Sequence, residues 1–370
     1  MPAAIPECAN CPSQICRMGR KAGLPDCCPM LDDFPDHRVL YARDKVRRMA
    51  LAAAVIEATG YRRWTRVREL VELCRMMDYS VIGVACCPDM RREAKLLARY
   101  LKANGLVTSV PCSTVCDPLE QAKEFASRKT ELNVLAGMCV GHDALFTRNS
   151  AAPVTAIIAR DTVLQHNPAA ALYLSGSYLH DALYTEHRSL KSGLYSDSDT
   201  ILLNASNEIA EAGRGRWTRV EEFIELAHRL DARKLGVVFC HGLREEAKVL
   251  ARVLEANGFQ VASVGCKTGA VSKEEFGLAD SQKVRPGQPE MICNPLAQAD
   301  ILNRVGTHLN ALLGQCVGHD TATMAALKAP TVSLVVKDRV LAHNTVAALW
   351  ANCTERIKAL APGSNEEGKG

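Results

Sequence analysis

Cys139-Val140-Gly141-His142-Asp143 returns unchanged as Cys316-Val317-Gly318-His319-Asp320. In both places the pentapeptide ends an apolar run, residues 132–138 and 309–315. Outward from it, Trp64-Thr65-Arg66-Val67 returns as Trp217-Thr218-Arg219-Val220, and residues 83–87 return as 236–240. Ser109-Val110-Pro111-Cys112 answers to Ser263-Val264-Gly265-Cys266, and Cys116-Asp117-Pro118-Leu119 to Cys293-Asn294-Pro295-Leu296. One cysteine-bearing module is therefore written twice. Within the first copy, residues 81–85, 106–110, 132–136 and 154–159 are short apolar runs that read as buried strands. They alternate with helical stretches at 64–77 and 91–103, the latter closed by Asn104-Gly105. A further helix opens at Asp117-Pro118, with Asp suited to the N-cap and Pro to the first helical position. That alternation predicts an α/β fold: two tandem repeats of a small Rossmann-like module, each a parallel sheet with helices on both faces.

The expected organisation is a cysteine-rich segment over 1–37, a first module over 38–174 led by a helix at 38–59, a connection over 175–213, a second module over 214–353 and a polar tail over 354–370. The connection is rich in Ser, Gly, Tyr and His and shows no counterpart in the other half. The second copy also carries an insertion at about residues 267–292. At 370 residues, each half has enough chain to bury a core. The formal net charge of +4, with aromatics at 5%, does not indicate nucleic-acid binding. No run of 18 apolar residues occurs, so no membrane span is expected. The first thirty residues lack the apolar centre of a secretory signal, so the expected location is cytoplasmic. Sixteen cysteines in a reducing compartment point to metal ligands or redox thiols rather than disulfides.

Aligning the copies pairs Cys87 with Cys240, Cys112 with Cys266, Cys116 with Cys293 and Cys139 with Cys316. Three of each set end a predicted strand and the fourth precedes a helix, so a parallel sheet gathers all four at its carboxyl edge, where ligands sit in such folds. Four thiolates there are a candidate site for a 4Fe-4S cluster, with zinc as the alternative. Ligands scattered over separate strands suit the wider object. Against this stands the reading of each cysteine as a small buried hydrophobe. Cys74, Cys86 and Cys353 have no matched partner and take that reading. Cys8, Cys11, Cys16 and Cys28 form a third candidate metal set in a segment too short for its own core. Cys28 is preferred to Cys27 because Cys-Pro closes many cluster-ligand runs. His142 and His319, three residues after a candidate ligand, are the candidate catalytic or cluster-tuning groups, or else helix caps. His166 and His343 repeat as well and could equally be structural.

Cys8-x2-Cys11-x4-Cys16, Cys293-Asn294-Pro295, the Cys316–Asp320 pentapeptide and Lys337-Asp338-Arg339-Val340-Leu341-x-His343-Asn344 together resemble a family of cysteine-rich bacterial and archaeal proteins of unknown function, described as metal-binding. The likeness covers nearly the whole chain, and the chain departs from it by carrying the module twice. The resemblance implies metal binding through the cysteines and no settled reaction. The first copy departs further, with Cys-Asp-Pro where the second has Cys-Asn-Pro.

The expectation is thus an oxygen-sensitive iron–sulfur protein serving electron transfer or reductive chemistry on a small molecule, with a redox partner protein. The clusters are held within each module, or one larger cluster bridges the two, as fold analogy with nitrogenase-like reductases suggests. A zinc-binding protein without redox activity is the alternative, and a thiol redox sensor a third. Duplication implies pseudo-twofold pairing of the modules, or a homo-oligomer among single-module relatives.

Overall fold

The structure, a computed structural model, describes residues 5–31, 34–111, 116–175 and 198–350. Cys112, Cys353 and the tail over 354–370 lie outside them. The first half contains helix α1 (Asp44–Gly60), α2 (Arg66–Met77), strand β1 (Val81–Ala85), α3 (Arg91–Ala103), β2 (Val107–Ser109), α4 (Pro118–Ser127), β3 (Leu132–Ala136), α5 (Val140–Asn149) and β4 (Val154–Ile158). The second half repeats this order as α6 (Ser198–Gly213), α7 (Arg219–Arg229), β5 (Lys234–Phe239), α8 (Arg244–Ala256), β6 (Gln260–Gly265), α9 (Pro295–Val305), β7 (Leu309–Leu313), α10 (His319–Ala326) and β8 (Thr331–Val335).

Each half holds one four-stranded sheet, all parallel, in the order β2-β1-β3-β4 and β6-β5-β7-β8. The two tandem α/β repeats read from the sequence are therefore present. Chain direction across the sheet reverses between β1 and β3, and between β5 and β7. Connections leaving these neighbours turn to opposite faces and open a crevice at the carboxyl ends. Cys87 follows β1 and Cys139 follows β3, so the crevice receives both; Cys240 and Cys316 stand equivalently.

Local signals behave as their chemistry requires. Thr65 caps α2 by accepting from Arg68 N at 3.4 Å, and Thr218 opens α7 with a reciprocal capping box to Glu221. Asp117 accepts from Leu119 N and Glu120 N at 2.9 and 3.0 Å ahead of Pro118. Gly137 takes φ +89°, which swings the chain from β3 toward Cys139, a left-handed turn that a side chain disfavours.

Three features depart from the reading of the sequence. The helix expected over 38–59 is two helices, a turn at His37–Leu40 and then α1. Residues 198–213, taken as connection, form α6, and α6 stands to α7 as α1 stands to α2. Its sequence diverges from α1, but Gly213 and Trp217 pack as Gly60 and Trp64 do, glycine against indole. The cysteine-rich start does not stand alone: Glu7 bridges Ser263 in parallel, Cys8 N donates to Ser263 O at 3.0 Å, and Ser263 N donates to Pro6 O at 2.7 Å. It extends the second sheet at the β6 edge and borrows that half's core. No helix among the described residues is long and apolar enough to cross a membrane.

The halves interlock. Val140, Ala144 and Leu145 of α5 bury into the core of the second half, and Val317 and Val346 into that of the first. Arg66, at the start of α2, is fully buried and forms an ion pair with Asp320 of the other half. It also donates to Gln315 O at 2.7 Å and from its backbone N to Asp338 Oδ2 at 2.8 Å. Arg219 reciprocates: it pairs with Asp143, donates to Met138 O at 2.9 Å, and its N donates to Asp161 Oδ2 at 2.9 Å. The repeated Arg of Trp-Thr-Arg-Val thus holds the repeated Asp of Cys-Val-Gly-His-Asp in the opposite half.

Candidate metal centres

In the first half, Cys87 Sγ lies 3.2 Å from Cys116 Sγ and 3.6 Å from Cys139 Sγ. Cys116 Sγ lies 3.1 Å from His142 Nδ1, and the far ring nitrogen of His142 is 3.1 Å from Asn207 Oδ1 on α6. Donor atoms of Cys87, Cys139 and His142 all fall within 4.8 Å of one another, a group able to hold a metal ion. The structure thus brings together Cys87, Cys116, Cys139 and His142, while Cys112 lies outside the described residues. Among the described residues one cation serves these sulfurs: Arg160 donates to Cys139 Sγ at 3.3 Å and also to Asp89. Hydrogen bonding to Cys116 pushes the Cys87 thiol up, and hydrogen bonding to Cys87 together with burial pushes Cys139 up.

In the second half, Cys240, Cys266, Cys293 and Cys316 are all buried. Cys240 adjoins Cys266 and Cys316, and Cys266 adjoins Cys293, so the four thiols form one chain. Cationic groups converge on them. Lys337 Nζ donates to Cys240 Sγ at 2.7 Å and to Cys316 Sγ at 3.4 Å. Arg339 reaches Cys316 Sγ at 3.3 Å, Lys267 reaches Cys293 Sγ at 3.5 Å, and His241 N donates to Cys266 Sγ at 3.2 Å. Hydrogen bonds from its two neighbouring thiols, then the charge of Lys337, hold Cys240 well below the ordinary thiol range. A hydrogen bond from Cys266, then Lys267, does the same for Cys293, although burial opposes both. Cys266, donating to either side, is pushed well above it. Lys337, Arg339 and Lys267 thus place positive charge against three of the four sulfurs.

His319 Nε2 lies 3.3 Å from the carbonyl of Ala50 on α1. Burial disfavours its charged form, but Cys293 and Cys316 outweigh that and raise it to about 10. Each site is roofed by the helix preceding the other half's Trp-Thr-Arg-Val: α1 brings Ala50 and Glu57 to the second site, and α6 brings Asn207 to the first. Glu57 ion-pairs with Arg339, which also meets Glu69. The insertion walls the second site with Val284, Arg285, Gln288 and Met291.

At the N-terminus, Cys8, Cys11, Cys16, Cys27 and Cys28 line one partly open pocket against the second half. Burial pushes Cys8 up to about 12 and Cys16 up to about 11. His241 and Lys267 line this pocket and also the cavity beside Cys240 and Cys266, so the two thiol groups are neighbours. Cys74 and Cys86 belong to the apolar core of the first half. His166 and His343 sit at φ +62° and +68° and accept from Asp161 N and Asp338 N at 3.3 and 3.2 Å, which makes them turn-forming groups.

Sequence reasoning passed over Lys267, Lys337, Arg339, Arg160, Arg66 and Arg219. Two signals were there to find. A basic residue precedes the repeated Asp in both Arg160-Asp161 and Lys337-Asp338, and Arg66 and Arg219 recur in the repeated Trp-Thr-Arg-Val. Nothing in the sequence aims Lys267 at a sulfur, because its position depends on how the insertion folds.

An uncharacterised protein of Methanocaldococcus jannaschii is 45% identical over 133 residues, which is 36% of this chain and 67% of that protein. Among solved structures the chain is similar to Dph2 of Pyrococcus horikoshii with a 4Fe-4S cluster, at 11% identity over 78% of this chain and 91% of that one, TM-score 0.22. It is also similar to CD0873, a substrate binding protein of Clostridium difficile, at 12% identity over 75% and 87%, TM-score 0.20. Likenesses this low carry no argument about ligand. The family model described as "Protein of unknown function (DUF1847)" matches residues 31–115, 107–157 and 181–334, and the repeated matches follow the duplication. The chain therefore belongs to the DUF1847 family of proteins of unknown function, with the family module present twice.

Proposed function

We propose that this chain is an iron–sulfur redox protein, with a four-iron cluster held in the second half by Cys240, Cys266, Cys293 and Cys316 and another at the N-terminus by Cys8, Cys11, Cys16 and Cys28. The observation that carries the reading is the second site: four buried thiols from three strand ends and one helix start, with Lys337, Arg339, Lys267 and His241 N all donating to sulfur. Hydrogen bonds to sulfur and local charge are the means by which a protein sets a cluster's reduction potential. A four-thiolate zinc site would carry the same charge; thiols spread over three strand ends and a helix start favour the wider cluster. When bound, a cluster supplies one-electron chemistry. The chain's own residues would balance its negative charge, exclude water and hold its potential.

The adjoining pockets at the N-terminus and second half suit stepwise passage of single electrons from a partner protein through one centre to the next. His241 and Lys267 stand between them. The second centre would then pass electrons to a small molecule, with the buried His319 hydrogen-bonded to Cys293 and Cys316 and helping to balance their charge.

A zinc reading is favoured for the first half alone. Sulfurs bound to zinc at about 2.3 Å stand roughly 3.8 Å apart in a tetrahedron. The 3.2 and 3.6 Å spacings of Cys87, Cys116 and Cys139, with His142 beside them, approach that geometry. Cys-Asp-Pro, and Arg160 as the one cation donating to sulfur among the described residues, mark this site as chemically different from the other.

Anaerobic purification followed by iron, sulfide and zinc analysis tests the proposal. Brown protein containing iron and sulfide is expected, with its electron paramagnetic resonance signal changed by Cys316→Ser. Colourless protein with stoichiometric zinc and no iron would end the iron–sulfur reading.

A further inference from the structure

A cavity of about 280 Å³ opens beside Cys240, Cys266 and Cys293. We propose that it binds a small molecule bearing a carboxylate or phosphate, with Arg17 and Arg285 taking the anionic group. The inference names the substrate class for the second centre and in that respect rests on the function proposed above; the binding itself does not require a cluster.

The argument is one of charge. Five basic side chains line the cavity, Arg17, Lys267, Arg285, Lys337 and Arg339, against two carboxylates, Glu57 and Glu290. Most of these are already engaged. Lys337 and Lys267 donate to sulfur, Arg339 is paired with Glu57 and Glu69, and Glu290 is paired with Lys273. Arg17 and Arg285 are what remains. Both are exposed, and neither side chain has an ion pair or hydrogen bond among the described residues. A four-thiolate centre of net charge −2, whether a cluster or zinc, added to +5 and −2, leaves the cavity positive by 5 − 2 − 2 = 1 before His319 is counted.

The first half supplies the contrast. Its cavity, of about 420 Å³ beside Cys87, Cys116 and Cys139, is lined by Arg160 and Arg214 against Asp89 and Glu211. Both arginines meet Asp89, and before any centre is counted that lining sums to 2 − 2 = 0, against 5 − 2 = 3 in the second half. The excess of positive charge belongs to the half whose sulfurs already accept from Lys337, Arg339 and Lys267.

Guanidinium forks match carboxylate and phosphate oxygens in pairs, which lysines do not. Arg17 comes from the N-terminal segment and Arg285 from the insertion, the two parts that only the second site has. The cavity volume lies at the small end for ligand sites, which suits a small metabolite.

The test uses the full chain, purified anaerobically, with iron, sulfide and zinc measured on the same sample. Inorganic phosphate and malonate are each titrated by calorimetry at low ionic strength, where screening is least. Saturable binding of one of them at one site per chain is expected, and which one binds tells phosphate from carboxylate. Arg17→Gln with Arg285→Gln should weaken it by about tenfold or more, as loss of charged hydrogen bonds does. Arg214→Gln, in the other cavity, should leave it unchanged. Both arginines are exposed, so the variants should fold, as unchanged melting will show. No saturable binding of either probe, or equal binding by the double variant, overturns the inference. Metal-free protein that still binds the anion would end the iron–sulfur reading and keep this one; cluster-bearing protein that binds neither would do the reverse.

Discussion

At the scale of single residues, the two sites differ in what faces the sulfurs. Lys337 contacts two thiols and is itself fully buried, a position that only paired negative charge makes tolerable. Lys337→Gln keeps a donor but removes the charge. It should weaken metal retention against a chelator by about 10- to 100-fold, the range for partners of ligating groups. Arg160→Gln should have a smaller effect on the first site, because Asp89 already shares that cation. Glu222 gives a test of pH. Burial, opposed by Arg219, raises its carboxyl to about 7, and its Oε2 has no hydrogen-bond partner. With a folded value above the unfolded one of about 4.3, the native state binds the extra proton, so stability should fall as pH rises from about 4 through 7. Glu222→Gln should flatten that slope and stabilise the protein above pH 7 by roughly 1–3 kcal/mol, read from urea melts at several pH values.

At the scale of elements, the packing of α5 on α6 decides how the first site is roofed. A Cβ placed on Gly141 would lie 1.6 Å from Ser206 Oγ. Gly→Ala within a helix ordinarily gains up to about 1 kcal/mol. Here Gly141→Ala should instead cost about 1–3 kcal/mol through overpacking, seen as a lower melting temperature. Adding Ser206→Gly should recover most of the loss. The same contact explains why residues 198–213 were hard to read. What α6 shares with α1 is its place over the opposite site, and the residues that place it there meet different neighbours, so pattern alone did not align them. The strands were legible because burial on both faces demands continuous apolar runs.

At the scale of the whole molecule, the halves are joined through charge buried at their centre. Arg219→Met would leave Asp143 buried without its partner and should cost about 3–5 kcal/mol in urea-induced unfolding. Arg219→Met with Asp143→Leu should restore much of it, since an apolar pair of similar volume removes the unpaired charge. Because Arg66 and Arg219 each reach across, either lesion should loosen the site of the opposite half as well, visible as faster loss of metal.

The repeat, the parallel α/β modules and the matched cysteines were set down in the linear chain, because period, strand length and cap chemistry are local properties. That Cys87 meets Cys116 and Cys139, and that Cys240 meets Cys266 and Cys316, required the sheet order, which places the reversal of chain direction between the first and third strands of each half. The exchange of roofing helices, the docking of the N-terminal segment on β6 and the cations at the second site belong to tertiary structure alone. Those contacts join residues up to about 280 positions apart, as Arg339 with Glu57 shows, and no local pattern in the chain encodes which distant residues burial will bring together.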